Sequence, residues 1–149
     1  MLFSLLKTSS EVLRPSGALV FTGDTMYIIL ALLLIKHFLC DYPLQSPWML
    51  RKSAEKGWLA PLSAHAYAHA FGTYIVFLIV GGFADPTFAV WMMGLDFLAH
   101  WLIDFWKARL TRPEFGSRAF WNYLGLDQLL HNLTYLAMIF LYSLYTAGI

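Results

Sequence analysis

The sequence predicts an all-α fold, an integral membrane four-helix bundle with a polar cluster of histidine and aspartate side chains in its cytoplasmic half. The chain is 59% hydrophobic and only 13% charged, whereas ordinary soluble domains are roughly 25% charged. Four long apolar stretches follow one another along the 149 residues. Histidines and aspartates recur four residues apart within these stretches or at their ends. Length and composition therefore predict the bundle, and the spacing predicts its polar cluster.

The composition also limits the partners of the protein. The formal net charge is +1, so the chain lacks the basic footprint of a nucleic-acid-binding protein and we expect no nucleic-acid partner. The single cysteine, Cys40, excludes an intramolecular disulfide. Membrane lipids are the expected partners, and the sequence also allows a homodimer.

Residues 1–25 are predicted to form an N-terminal segment that is interfacial or loosely ordered. This segment mixes short apolar runs with Ser, Pro, Gly and four charges. It has no long apolar region with a clean cleavage site, so we do not expect a signal peptide. Met26 opens the first strong apolar run and is an alternative start of the native protein.

Residues 26–149 are predicted to form one transmembrane domain with four spans. Each span is close to the roughly 20 residues that cross a bilayer. Tryptophans and tyrosines collect near the span ends, as interfacial anchors do. The predicted spans are about 26–45, 58–82, 86–110 and 120–145.

Loop charge predicts the orientation of these spans. The first loop has three basic residues and the third has four, each set against one glutamate, whereas the second has only Asp85. Basic loops stay in the cytoplasm, so both termini are expected outside in a bacterial inner (cytoplasmic) membrane. The basic residues are Arg51, Lys52 and Lys56 in the first loop, and Lys107, Arg109, Arg112 and Arg118 in the third.

Every histidine belongs to a pair spaced four residues apart. Such residues share one face of a helix, and ionisable groups inside a membrane are costly and usually functional. On the predicted topology all the pairs lie in the cytoplasmic half of the membrane. They are His37 with Asp41, His65 with His69, Asp96 with His100 and then Asp104, and Asp127 with His131.

These side chains predict a metal site. Imidazole and carboxylate are the usual ligands of zinc, iron and manganese, and helix bundles build di-metal sites from them. We expect one or two divalent ions, zinc first, with iron or manganese as alternatives. The expected ligands are His37, Asp41, His65, His69, His100, Asp104, Asp127 and His131. The residues expected to orient these ligands by contacts outside the metal's own shell are Gln45, Asp96 and Gln128. The alternative is that hydrogen bonds among these groups merely join the helices.

Three residues are predicted to take part in chemistry. Asp41 or Asp127 would serve as a further ligand or as the general base. Lys107 follows Asp104 by three residues and would hold a substrate anion near the metal, although snorkelling to the head-group layer is its alternative role. Lys36 neighbours His37 but points about 100° away from it on a helix, so no role is assigned to it.

Four sequence phrases together resemble a known family. They are HFLCDYPLQ at 37–45, HAYAH at 65–69, HWLIDFWK at 100–107 and DQLLH at 127–131. With these four phrases together, the chain resembles an uncharacterised family of small bacterial and phage integral membrane proteins, known as the domain of unknown function 3307. The resemblance runs from about Met26 to the C-terminus. The resemblance implies this architecture and a shared polar core, with no established reaction. A more distant similarity is to predicted membrane-bound metal-dependent hydrolases, whose His-Arg-Gly and Thr-His-Ser phrases are absent here.

The leading functional hypothesis is a membrane-embedded metal-dependent hydrolase that acts on a lipid phosphate or lipid ester at the cytoplasmic interface. One alternative is a divalent-metal binding or transport protein, but a transport path should have polar groups in both halves of the membrane. Another is a structural or partner-binding protein of phage type without catalysis. A di-iron lipid hydroxylase or desaturase is disfavoured because the chain has five histidines and only one His-x-x-x-His phrase.

Overall fold

The computed structural model of the protein describes residues 23–81 and 86–149, and within these ranges it contains helices and no strand. A 3-10 helix, Met49–Ser53, precedes α2, and a π-helix, Trp106–Thr111, continues α3. The predicted all-α, four-helix fold is therefore confirmed. The four α-helices are α1 (Gly23–Asp41), α2 (Leu59–Gly81), α3 (Thr87–Phe105) and α4 (Arg118–Ala147).

Three of the helical segments are long and apolar enough to cross a membrane, judged by length and composition. These are α1, α2 and the continuous stretch Thr87–Thr111. Helix α4 is longer, at 30 residues, but its Asn, Asp, Gln, His and Thr side chains make it more polar. Large apolar side chains such as Phe38, Phe71, Trp91 and Phe140 are exposed on the outside of all four helices, as expected where lipid is the solvent. The protein is accordingly membrane-associated.

The helix ends differ from the predicted spans by a few residues, for local reasons. Helix α1 ends at Asp41, earlier than the predicted end near residue 45, because a residue that precedes a proline such as Pro43 avoids the α conformation. Helix α4 begins at Arg118, where the Ser117 hydroxyl accepts a hydrogen bond from the Phe120 backbone N–H at 3.1 Å and caps the helix. Of the predicted N-terminal segment 1–25, residues 1–22 lie outside the described residues, and the remaining three open α1.

The interior of the bundle is divided into an apolar half and a polar half. The apolar half is built where α1 and α3 begin and where α2 and α4 end, and it excludes water by close packing. The polar half lies at the opposite end, toward the 3-10 helix and the π-helix. The buried residues of the apolar cluster are Ile29, Leu33, Val76, Phe77, Ala89, Met92, Tyr135, Met138 and Tyr142.

The two short helices are joined at the polar end. Arg109 donates a hydrogen bond from Nη1 to the Ala54 carbonyl at 2.6 Å, and its guanidinium lies 4.8 Å from the centre of the Trp58 ring. Arg112, directly after the π-helix, has φ of 35° and ψ of 49°, and it is the one non-glycine residue of the described ranges with positive φ. The two basic loops of the sequence therefore meet over the His/Asp cluster.

Candidate metal centre

All five histidines of the chain converge in the polar half. The His69 and His100 rings are stacked with their centres 3.7 Å apart, and the His100 and His131 rings are 4.1 Å apart. His65 lies 4.6 Å from His69, and His37 lies 5.0 Å from both His69 and His131. The pairs that share helical spacing in the sequence are thus brought from four helices into one cluster, and all five rings are buried.

Asp41 lies at the centre of three of these rings. Its Oδ2 atom is 3.1 Å from His37 Nε2. Its Oδ1 atom is 3.3 Å from His65 Nε2 and 3.2 Å from His69 Nε2. Gln128 adds a long contact from Nε2 to Oδ2, at 3.4 Å. One partly buried carboxylate therefore faces three imidazoles.

The other three aspartates of the cluster each have a lysine partner. A buried carboxylate needs a counter-charge because desolvation is costly. Among the described residues Asp41 has neither a lysine nor an arginine within ion-pair distance, so its counter-charge is either a protonated imidazole or a bound cation. The three pairs are Lys36 with Asp96 at 2.8 Å, Lys52 with Asp104 at 2.6 Å and Lys107 with Asp127 at 2.7 Å.

Two groups of side chains have the spacing of metal ligands. Each member offers one ligand atom, and within a group these atoms all lie within 4.8 Å of one another. His100 belongs to both groups, so the two positions are adjacent. The groups are Asp41 with His65, His69 and His100, and His100 with Asp104 and His131.

The distances within these groups fit a tetrahedral ion. Ligand atoms at 2.0–2.1 Å from a tetrahedral metal lie about 3.3 Å from one another. The separations of Asp41 Oδ1 from two imidazole nitrogens are 3.2 and 3.3 Å, and the Nε2 atoms of His100 and His131 are 3.3 Å apart. His69 Nε2 contacts Asp41 Oδ1, whereas the Nδ1 atoms of His69 and His100 are buried without a hydrogen-bond partner among the described residues. Buried polar atoms of this kind require an explanation.

A second buried polar network lies directly behind the histidines. The Lys36 ammonium donates to Asp96 Oδ2 at 2.8 Å, to the Tyr135 hydroxyl at 3.0 Å and to the His69 carbonyl at 3.2 Å. Thr73 also donates to Asp96, at 2.7 Å. The Tyr135 hydroxyl is hydrogen-bonded to His37 Nδ1 at 2.8 Å. Partners of this kind fix the orientation of imidazole rings.

Three members of this network were not predicted from the sequence: Lys36, Thr73 and Tyr135. Lys36 points away from the face that carries His37, and no role was assigned to it. Helix α1 buries more than one of its faces, and the direction taken by Lys36 leads to Asp96 on α3. The signal was present in the sequence, because a lysine within an apolar span is itself a mark of function.

The remaining predicted residues lie around the cluster. Asp127 is held by Lys107, and its Oδ2 atom also accepts a hydrogen bond from Gln128 at 3.2 Å. With its amide group turned so that nitrogen and oxygen exchange places, Gln45 donates to the Asp41 backbone carbonyl at 3.1 Å and accepts from Lys52 at 3.2 Å. Asp127 and His37 adjoin the two ligand groups without belonging to them. Gln45 and Gln128 thus contact Asp41, whereas Asp96 is linked to His37 only through Lys36 and Tyr135.

The comparison with known families matches residues 29–148 to a family described as protein of unknown function (DUF3307). The chain belongs to the DUF3307 family. The match covers nearly all of the described structure and every residue of the His/Asp cluster, so the resemblance predicted from the four sequence phrases is confirmed. No curated protein and no solved structure matches this DUF3307 chain.

The donor atoms limit the chemistry that this member of the DUF3307 family can perform at the site. Imidazole nitrogen and carboxylate oxygen together suit zinc, iron or manganese. The cluster of the DUF3307 chain is thus a group that could hold one or two divalent ions.

Proposed function

We propose that the protein is a membrane-embedded metal-dependent hydrolase that acts on a lipid phosphate or lipid ester at the cytoplasmic membrane interface. The observation that carries this proposal is the Asp41 carboxylate, which faces three histidines at the separations of a tetrahedral metal site. No lysine of the described residues lies within ion-pair distance of it. Zinc is the proposed metal, with iron or manganese as alternatives. A bound ion of this kind activates water near neutral pH and polarises a carbonyl or phosphoryl oxygen.

The ligand groups assign different roles to the side chains. The first ion would be held by Asp41, His65, His69 and His100. His100, Asp104 and His131 would hold a second ion or complete the environment of the first.

Asp127 is the proposed general base. Lys107 fixes one of its oxygens at 2.7 Å, while Oδ1 is buried and makes no hydrogen bond with any described residue. Gln128 contacts both Asp127 and Asp41, so the base lies beside the metal group. A carboxylate oxygen in this position can accept the proton of an attacking water.

Metal transport is a weaker candidate than hydrolysis because of the apolar half of the bundle. A path across the membrane needs polar groups along its whole length, and residues such as Leu33, Phe77 and Met138 fill the interior beyond the cluster. The site is therefore open toward one end of the bundle. We place that end in the cytoplasm of a bacterial inner membrane and both termini outside, on the argument from loop charge.

The proposal is tested by elemental analysis of the full-length protein purified in detergent. The variant His65→Ala/His69→Ala removes two proposed ligands, and Thr134→Ala is the control because its hydroxyl bonds only within α4, to the Leu130 carbonyl. We expect one or two equivalents of zinc, iron or manganese in the wild type and in the control, and loss of metal in the double variant. Lipid phosphatase and lipid esterase assays on the metal-loaded protein then test hydrolysis.

Absence of stoichiometric metal in a folded wild type would contradict the metal centre and favour a structural or partner-binding protein. Stoichiometric metal without turnover of either lipid class would favour a metal-binding protein instead.

A further inference from the structure

A basic cleft opens beside the candidate metal centre at the polar end of the bundle. It has a volume of about 320 Å³ and lies between the 3-10 helix, the π-helix and the first turn of α4. Ligand pockets begin at about this size. Its walls include three cationic side chains and one carboxylate, Asp104. The three cations are Lys52, Lys107 and Arg112.

Asp104 connects this cleft to the metal centre. Its side chain forms part of the cleft wall, yet it is only 5% exposed and belongs to the ligand group of His100 and His131. A molecule held in the cleft is therefore next to a proposed metal ligand. The cleft is the entrance through which a substrate would reach the ions.

The cations of the cleft have donors left for an anion. Lys52 donates to Asp104 at 2.6 Å and also to the Gln45 amide oxygen, and Lys107 donates to Asp127 at 2.7 Å. An ammonium group has three N–H donors, so each lysine keeps at least one for an anion. Arg112 is exposed and makes no hydrogen bond or ion pair within the described part of the chain. Its left-handed backbone, with φ of 35°, is a conformation that non-glycine residues adopt rarely and often at ligand sites.

We propose that this cleft binds the phosphate group of the substrate, so that the hydrolase acts on phosphate esters rather than carboxylic esters. This inference rests on the proposed hydrolase function. Lys52 is paired with Asp104 and Lys107 with Asp127, so the cleft keeps one net positive charge, that of Arg112. This charge attracts a phosphate anion and does not attract an uncharged ester. The planar fork of Arg112 fits two phosphate oxygens at once. Lys52 and Arg112 are the direct anion ligands, and Lys107 holds Asp127 beside them.

The reaction that follows adds water across the ester bond. The water oxygen forms a bond to phosphorus, and the bond between phosphorus and the ester oxygen breaks. Asp127 takes the proton that the water loses and returns it to the departing oxygen. The products are inorganic phosphate and an alcohol, and no oxidant or reductant is needed.

The test is the binding of radiolabelled orthophosphate to the full-length protein in lipid nanodiscs, with bound metal measured on the same samples. Arg112→Gln is the main variant, because the wild-type side chain makes no hydrogen bond or ion pair with the described residues that its removal would break. Lys52→Gln is the second variant. Arg51→Gln is the matched control. Arg51 is an exposed basic residue next to Lys52 in the first loop, and it does not line the cleft. We expect affinity for orthophosphate to fall at least about tenfold in both cleft variants and to stay unchanged in the control.

The outcomes separate this inference from the proposed function. Absence of orthophosphate binding by the metal-loaded wild type, or an equal loss of affinity in Arg51→Gln, would overturn the cleft assignment and leave the metal centre standing. Orthophosphate binding that depends on Arg112 in a protein without metal would support the cleft and contradict the hydrolase.

Competition then identifies the source of the phosphate group. Glycerol phosphate is added in solution, and phosphatidic acid is placed in the nanodisc with diacylglycerol as its uncharged counterpart. Displacement of orthophosphate by phosphatidic acid but not by diacylglycerol supports a lipid phosphate, and displacement by glycerol phosphate supports a soluble phosphate ester. Displacement by neither phosphate compound would overturn the proposal.

Discussion

At the scale of single residues, the decisive contrast is between Asp41 and the other three aspartates of the cluster. Asp96, Asp104 and Asp127 each have a lysine at 2.8 Å or less, so their charge is balanced inside the protein. Asp41 contacts imidazoles instead. Asp41 is therefore the aspartate of the cluster whose charge a metal ion would balance.

Substitution of Asp41 by asparagine tests this contrast. The change keeps the shape of the side chain and removes its charge, so we expect the affinity for the metal to fall at least about tenfold, the lower end of the loss seen when groups around a metal are changed. Chelator competition on the purified protein measures the affinity. Asp24→Asn, an exposed position in the first turn of α1, serves as the control, and equal affinity in both variants would refute Asp41 as a ligand.

The Lys36–Asp96 pair gives a second prediction at this scale. Lys36→Met leaves Asp96 buried without its counter-charge, which typically destabilises a protein by about 3–5 kcal/mol. The double variant Lys36→Met/Asp96→Asn removes both charges, and we expect it to be more stable than the single variant. Thermal unfolding in detergent, followed by circular dichroism, measures the difference. A double variant no more stable than Lys36→Met would show that the ion pair is unimportant for stability.

At the scale of the helices, the sequence predicted the elements well and their facing surfaces less well. The four-residue spacing of histidines and aspartates identified the helix faces that carry the metal-site residues, because this spacing is a property of each helix alone. The burial of Lys36 could not be obtained in this way, since it depends on the neighbouring helices. Gly72 on α2 helps to make the burial of Lys36 possible, because the aliphatic part of the Lys36 side chain crosses α2 at this glycine. A Cβ atom at residue 72 would lie 2.6 Å from Lys36 Cγ and 2.9 Å from Cδ.

Gly72→Ala is therefore predicted to disturb the packing of α1 on α2. The Lys36 stem cannot move freely, because its ammonium is held by three partners, and overpacking of this kind typically costs about 1–3 kcal/mol. Gly94→Ala on α3 is the matched control, since a Cβ atom there meets nothing within 4 Å, and we expect its effect to stay within about 0.5 kcal/mol. Unfolding temperatures in detergent compare the two variants, and equal temperatures would exclude a close approach at Gly72.

At the scale of the whole molecule, the structure has one polar end and one apolar end. Loop charge and the depth of the His/Asp pairs predicted that asymmetry from the sequence. The partner of each aspartate was not predictable, because the lysines lie up to 60 residues away along the chain. Lys52 illustrates this: in the sequence it is one of several loop cations, and only the folded chain brings it to Asp104.

The orientation of the molecule gives a prediction at the same scale. Single cysteines at Ser53 and Ser117, in the two basic loops, should react with a membrane-impermeant maleimide only after the membrane is opened. A cysteine at Ile149, which is 90% exposed, should react in intact cells because the C-terminus is expected outside. The native Cys40 is buried, and the labelling of the protein without an added cysteine gives the background signal. Labelling of residues 53 and 117 in intact cells would reverse the topology.

The ion pair between α1 and α3 has a consequence for biogenesis. A charged side chain at the centre of a membrane helix raises the free energy of insertion by about 2.5–3.5 kcal/mol, and Lys36, five residues before the end of α1, carries part of that cost. Lys36 is synthesised 60 residues before Asp96, so α1 must enter the bilayer, or wait beside the insertion machinery, with its charge unmatched. The charge of Lys36 is matched only when α3 arrives with Asp96. We therefore expect a chain truncated before α3 to hold α1 in the bilayer less stably than the finished protein does.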